Sequence, residues 1–523
     1  MAFRIDGRAS TLATLIALMA WSPADAKTLR VNLSADPSQI DPITYSELNS
    51  YQVLEQVYEG FTSITPDGRA LPALAVSWTP LSTGYGFRFN LREGVKFHSG
   101  RPFTARDVKY TFEQLLKPGG QGGLSAQFLA NVVGAADLKA GKATELAGVK
   151  IIDDHTIEVT FTKPDVLFPI YQFFFMDSGI VAELGADWMT KADAGTGPFT
   201  FKQWKRGTAV DLAANPGYWG GTPKIDGVQF LIIPTGDTAL SQYDAGELDL
   251  VNLPENTFRR ALSNPAYASQ TIKVPKAQVR YMGMNQNLYA PFKDKRVREA
   301  ISLSLDREAM IKGLYNGAAF PLNGQTVPGI PGYNPDMPPL KYDPERAKAL
   351  LAEAGFAGGK GMPAVEIQCT EPFKDEITYY ANQLGKVLGM QVSPKVVERA
   401  TFIKSMNAGE VAFFPWGWTA DYPDAMTFLD EMWQSKSPFN RPRWSNAAFD
   451  QVIAQAQTEP DDAKRFALYR QAEKILMDDW ATAPLPATTN IALRKPNVKN
   501  VTVTPFGFSV FQDALIQGSG PVN

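Results

Sequence analysis

Two histidines and one cysteine are all that this 523-residue chain offers of the side chains that most often bind zinc or relay protons. His98 and His155 each lack a second His or Cys at metal-ligand spacing, so no metal centre is expected. A Ser-His-Asp arrangement would have to recruit one of these two, and no nucleophile motif accompanies either. Cys369, alone, excludes an internal disulfide and also lipid attachment at a mature N-terminal cysteine. Phosphate-binding glycines are missing as well: Gly359-Lys360 is followed by Gly361 rather than Ser or Thr, and no dinucleotide pattern follows a strand. Acidic pairs such as Asp153-Asp154 and Asp478-Asp479 read as turn and helix-end residues. Charge is nearly balanced, 51 basic against 54 acidic side chains, so there is no basic face to neutralise a phosphate backbone. The sequence therefore predicts no catalytic residue, no cofactor and no nucleic-acid partner. What is left is a binding surface.

One apolar run does stand out, and it is terminal. Arg4 and Arg8 precede Leu12 to Trp21, which ends in Ala24-Asp25-Ala26. That order is the layout of a secretory leader, about half the length a membrane-spanning helix needs. Cleavage is expected after Ala26, leaving Lys27 as the first residue of a soluble, unlipidated periplasmic monomer. Beyond it, short β-like runs alternate with amphipathic helical stretches, the pattern of an α/β protein. Val149 to Phe161 reads as a hairpin turning at Asp153-Asp154. Asp343-Pro344 opens a helix that Gly355 closes. Val365 to Cys369, a helix over 377–388 closed by Gly389, and Met390 to Val397 form a strand, helix, strand unit with Cys369 on its apolar face.

Several stretches resemble the extracellular solute-binding family that includes oligopeptide, dipeptide, glutathione, nickel and opine receptors. They are Tyr58-Glu59-Gly60-Phe61, Leu71 to Trp78 and Phe87 to Val108, then Gly195 to Phe199, Asn215 to Trp219, Ala245 to Asp249 and Pro291 to Ala300. The resemblance covers essentially all of the chain after the leader. It implies a two-lobed periplasmic binding fold with an extra inserted domain: domain I at 27–70, 195–282 and 488–523, domain II at 71–194, and domain III at 283–487. Ligand is then enclosed between lobes I and III by hinge closure and delivered to an inner-membrane ABC permease.

The ligand signal lies in Phe413 to Asp424. If 412–418 is a strand, Phe414, Trp416 and Trp418 share one face, and the stretch ends in a turn that carries a carboxylate. Aromatic walls beside a charge suit a small polar ligand, although the same spacing also serves a strand's core face. Asp424 is placed to cap a helix starting near Ala425. Asp421 is too early for that role. The resemblance implies that Asp421 pairs with a peptide's α-ammonium while Trp418, Trp416 and Tyr422 line the pocket. Basic residues that some peptide receptors place nearby are replaced, since position 415 is Pro and the loop after Cys369 reads Thr370 to Lys374. The carboxylate end then needs another cation, for which Arg280 beside Tyr281 is the candidate. Receptors for a nickel chelate, an opine or an oligosaccharide form the second reading within the same family.

Overall fold

The computed structural model describes residues 27–518 apart from 66, 121, 186, 187 and 189–192. The expected leader and its cleavage site lie outside the described residues. An eight-stranded sheet runs in the order Thr271–Pro275, Ala487–Arg494, Leu250–Leu253, Thr28–Leu33, Gly227–Ile232, Ala209–Ala214 and Phe199–Lys205, with the short strand Ala319–Phe320 paired to Ala487–Arg494. Leu29, Val31 and Leu33 alternate along the central strand and are buried together with Val53 and Leu54 of the helix Leu48–Val57. This lobe is assembled from widely separated stretches of chain.

A second lobe is built on a five-stranded sheet, in the order Val392–Val396, Val365–Cys369, Phe413–Thr419, Gln278–Met284 and Ala483–Pro484. Val365–Cys369 and Val392–Val396 are parallel neighbours, and the helix Lys374–Leu388 crosses between them. Ile377, Tyr380, Leu384 and Leu388 form its buried stripe, the helical period. Gly389, at φ 70°, ends it in the left-handed conformation that glycine adopts at least cost. Cys369 is buried in this core, where desolvation pushes its thiol up to about 11, so it behaves as a small apolar residue. Asp343 accepts the Arg346 amide at 2.9 Å and starts the expected helix, Pro344–Glu353.

A four-stranded antiparallel sheet, Ala75–Pro80, Gly86–Leu91, Thr156–Thr160 and Val149–Asp153, forms a third region. Its last two strands are the expected hairpin, and His155 sits in its turn. Phenylalanines fill its interior: Phe61 and Phe89 stack at 4.1 Å, and Phe112, Phe168 and Phe173 surround them.

The chain passes between the two large sheets at Lys276-Ala277 and at Leu485-Pro486, and in between it also reaches back to the first sheet, where Ala319–Phe320 pairs with Ala487–Arg494. The expected boundaries at 282/283 and 487/488 therefore shift. Gln278–Met284 pairs along its whole length with Phe413–Thr419, and Ala487–Arg494 belongs entirely to the other sheet. A β-like run carries no mark of which sheet will take it. Arg280 Nη1 donates to the Pro486 carbonyl at 3.1 Å, and the Leu485 amide donates to the Arg280 carbonyl at 2.8 Å, so the two crossings lie side by side.

Candidate functional site

The strand Phe413–Thr419 carries the site to the edge of its lobe. Its ladder with Gln278–Met284 ends where Gln278 faces Thr419 and the Ala420 amide donates to the Ala277 carbonyl at 2.8 Å. Past that point the backbone turns. Asp424 is buried, accepts the Met426 amide at 2.9 Å to open the helix Met426–Trp433, and receives Arg465 Nη2 at 3.3 Å. Only the part of the turn before Asp424 is free to face outward.

Two cavities meet at the end of this ladder and share Leu48, Thr419 and Phe506. The first, about 340 Å³, lies between the two large sheets; its walls are largely apolar, with Leu33, Leu253, Phe258, Ile491 and Val503, and among them stand the amides and hydroxyls of Asn32, Asn252, Gln278, Thr489 and Asn490 and the charged Glu255 and Lys276. The second, about 270 Å³, has Asp421 and Tyr422 on one side and Tyr45, Leu48, Tyr51, Phe128, Phe506 and Phe508 on the other. Together they form a cleft with a mixed half, where polar groups stand among apolar walls, and an aromatic half. Leu48, the first residue of its helix, lines both cavities and is 50% exposed.

Of the six residues expected at the site, Asp421 and Tyr422 border this cleft. Tyr422 is largely buried, with its ring 5.1 Å from Tyr171 of the third region. Trp418 and Trp416 do share a face with Phe414, but that face packs inward. Trp418 Nε1 donates to Thr427 Oγ1 at 3.3 Å, a hydroxyl that also receives the Asp421 amide, so Trp418 stands behind the turn and positions it. Trp416 lies under the Arg441 guanidinium at 4.2 Å. Arg280 and Tyr281 are corrections. Arg280 is buried against Glu376, Tyr315 Oη and the Pro486 carbonyl, its charge already neutralised, and Tyr281 is fully buried 5.1 Å from Trp433. Neither borders the cleft.

Electrostatics separates Asp421 from the other carboxylates nearby. It is exposed to the cleft, yet enough protein surrounds it that desolvation raises its pKa, against smaller lowering by Glu431 and Trp418. Glu431 is pushed up to about 9 by burial and then by the charge of Asp421. Among the described residues no cation pairs with either. Two carboxyls held together without a cation favour one shared proton, and an incoming ammonium would displace it.

The aromatic half was not legible at sequence level. Its rings come from the opposite lobe and the third region, and the available signal was Phe506-Gly507-Phe508, two aromatics around a glycine at φ 91°. Neither histidine lines either cavity. His98 is buried, with Nε2 2.9 Å from the Gly197 carbonyl and Nδ1 2.9 Å from Asp193, an arrangement that joins segments of the fold.

Residues 69–440 match the family model for bacterial extracellular solute-binding proteins, family 5. The chain belongs to this family. Among its relatives, the solute-binding protein is 30% identical to the periplasmic oligopeptide-binding protein OppA of Salmonella typhimurium, over 92% of this chain and 90% of that one. It is 29% identical to heme-binding protein A of Haemophilus influenzae, over 94% and 92%. Among solved structures, the unliganded open form of the periplasmic murein tripeptide binding protein MppA superposes with a TM-score of 0.85 at 27% identity, covering 94% of this chain and 98% of that one. A second structure of MppA, from Escherichia coli, gives 0.70 at the same identity, over 94% and 99%. Its relatives place it in the periplasm, and among the described residues no helix is long and apolar enough to cross a membrane.

Proposed function

We propose that the protein captures short peptides between its lobes, closes over them and hands them to an inner-membrane ABC permease as a non-enzymatic monomer. The observation that carries this reading is Asp421: a carboxylate without a cation, on the wall of a cleft whose facing wall is aromatic. Enclosing a peptide's ammonium without a partner is costly, and a charge-assisted bond to Asp421 offsets that desolvation. The aromatic half then takes the adjoining side chain, and in the mixed half the amides and hydroxyls suit the peptide backbone while the apolar walls suit further side chains. In this reading domains I and II with 195–275 form one jaw and 278–484 the other, apart from Ala319–Phe320, which pairs with Ala487–Arg494 beside the hinge, and closure turns about the two crossings. A porphyrin ligand, as the name of one relative would have it, is less well served, because no imidazole lines the cleft.

Mass spectrometry of ligand released by denaturing the purified protein tests the reading directly. Short peptides are expected. Added to ligand-free protein, those peptides should compact the solution-scattering profile and raise the melting temperature, since they bind the folded state alone. Recovery of an amine-free ligand, or a scattering curve unchanged at saturation, would sink the proposal.

A further inference from the structure

Asp421 accounts for one end of a peptide only. Its charge repels the other end, and a carboxylate enclosed without a cation is as costly as a stranded ammonium. Arg280 is spent on Glu376. Resting on the peptide reading, we propose that Lys276 holds the ligand's free C-terminal carboxylate and makes that carboxylate a determinant of specificity.

Lys276 is the one cationic side chain among the described residues lining the two cavities. Its backbone is fixed on both sides, the amide donating to the Thr488 carbonyl at 3.1 Å and the carbonyl accepting from the Gln278 amide at 2.7 Å. The side chain is therefore the part left to move, and it is partly exposed. Its ammonium donates one bond, to Glu255, which leaves two N–H groups for the cavity. Glu255 stands on the same wall and opposes an anion, but it also accepts Thr488 Oγ1 at 3.0 Å. That hydroxyl keeps Glu255 hydrogen-bonded when Lys276 turns to share its charge with a ligand.

Topology brings this cation beside the ammonium site. Gln278 faces Thr419 as the last ladder pair, and Ala277 and Ala420 are joined just beyond it. Lys276 and Asp421 are the next residues on the two strands. Residues of opposite charge thus follow the end of one strand pair, Lys276 lining the first cavity at the crossing between lobes and Asp421 lining the second. A zwitterionic peptide finds both partners there, and its binding bears on the crossing itself.

Titration calorimetry on ligand-stripped protein tests this, with the dipeptide Phe-Ala and the tripeptide Phe-Ala-Ala, each as free acid, C-terminal amide and N-acetyl derivative. The wild type should bind the free acids about tenfold or more tighter than the amides. Lys276→Gln should bring that ratio close to one while leaving the preference for free amine over N-acetyl intact. The double variant Glu255→Gln, Lys276→Gln, which strands no carboxylate, should behave the same way if the single variant folds poorly. Glu255→Gln alone should widen the ratio, because the ammonium is no longer shared; a purely structural pair would leave it unchanged. A ratio near one in the wild type, or a wild-type ratio kept by either Lys276 variant, overturns the assignment. Failure of all six probes to bind overturns the peptide reading itself and the assignment with it.

Discussion

Asp421 and Asp424 stand three residues apart on one turn, and both are raised by desolvation. Their surroundings differ in one respect. Asp424 is buried against Arg465 and caps a helix, so each of its carboxylate oxygens has a donor. Asp421 has a second carboxyl, Glu431, where Asp424 has a cation. The same division separates Arg280, enclosed with Glu376, from Lys276, whose pair with Glu255 opens on the cleft. A buried charge whose partner is protein maintains the fold. On the proposed function, a charge that opens on the cleft is the one available to a ligand.

The comparison breaks hardest on the structural side. Arg280→Met strands Glu376 in the core, so stability should fall by about 3–5 kcal/mol in denaturant unfolding, with the ratio of free-acid to amide binding unchanged. A change in that ratio would return Arg280 to the site. Asp421→Asn should do the converse. Affinity for free-amine peptides is expected to drop by about 2–5 kcal/mol in calorimetry, far more than for N-acetylated ones, with a small effect on melting. Equal losses for the two ligand types would reject the ammonium role.

A gentler probe uses pH. Glu431 is held neutral in the folded chain up to about 9, whereas the unfolded chain releases that proton near the ordinary glutamate value. Between those values the folded state binds more protons, so this group subtracts stability as pH rises. Glu431→Gln removes that loss. Its melting temperature should decline less than the wild type's from about pH 5 to about pH 8, by roughly 2 °C or more. Smallest of all, Trp418→Phe deletes the indole donor to Thr427 while keeping most of the packing. About 1 kcal/mol of binding free energy should be lost with little change in ligand preference, as fits a residue that positions Asp421 rather than touching ligand.

Local chemistry was readable from the sequence; partnership was not. The helix after Asp343, the unit around Cys369 and the hairpin at 149–160 depend on caps, glycines and periodicity within a dozen or so residues, and each is present. Asp421 could be singled out because Asp424 was the better placed cap. Arg280 misled because its partner, Glu376, is 96 positions away, and no spacing in the sequence says that a cation is already taken. Trp416 and Trp418 followed the correct period onto the correct face, but sequence cannot say whether that face meets solvent or a helix. The rings that do meet the cleft arrive from both ends of the chain, Tyr45 and Tyr51 from one and Phe506 and Phe508 from the other.

The paired crossings at Lys276-Ala277 and Leu485-Pro486 constrain how the jaws can travel. Two short tethers set side by side, stitched together through Arg280 and tied in by the pairing of Ala319–Phe320 with Ala487–Arg494, would act on the proposed closure like the pins of a door, favouring rotation about the line through them over sliding or twisting that tears backbone hydrogen bonds. Capture then reduces to a single angle. On the proposed function, a membrane partner that must tell a loaded receptor from an empty one would have that one coordinate to read, whatever side chains the cargo carries.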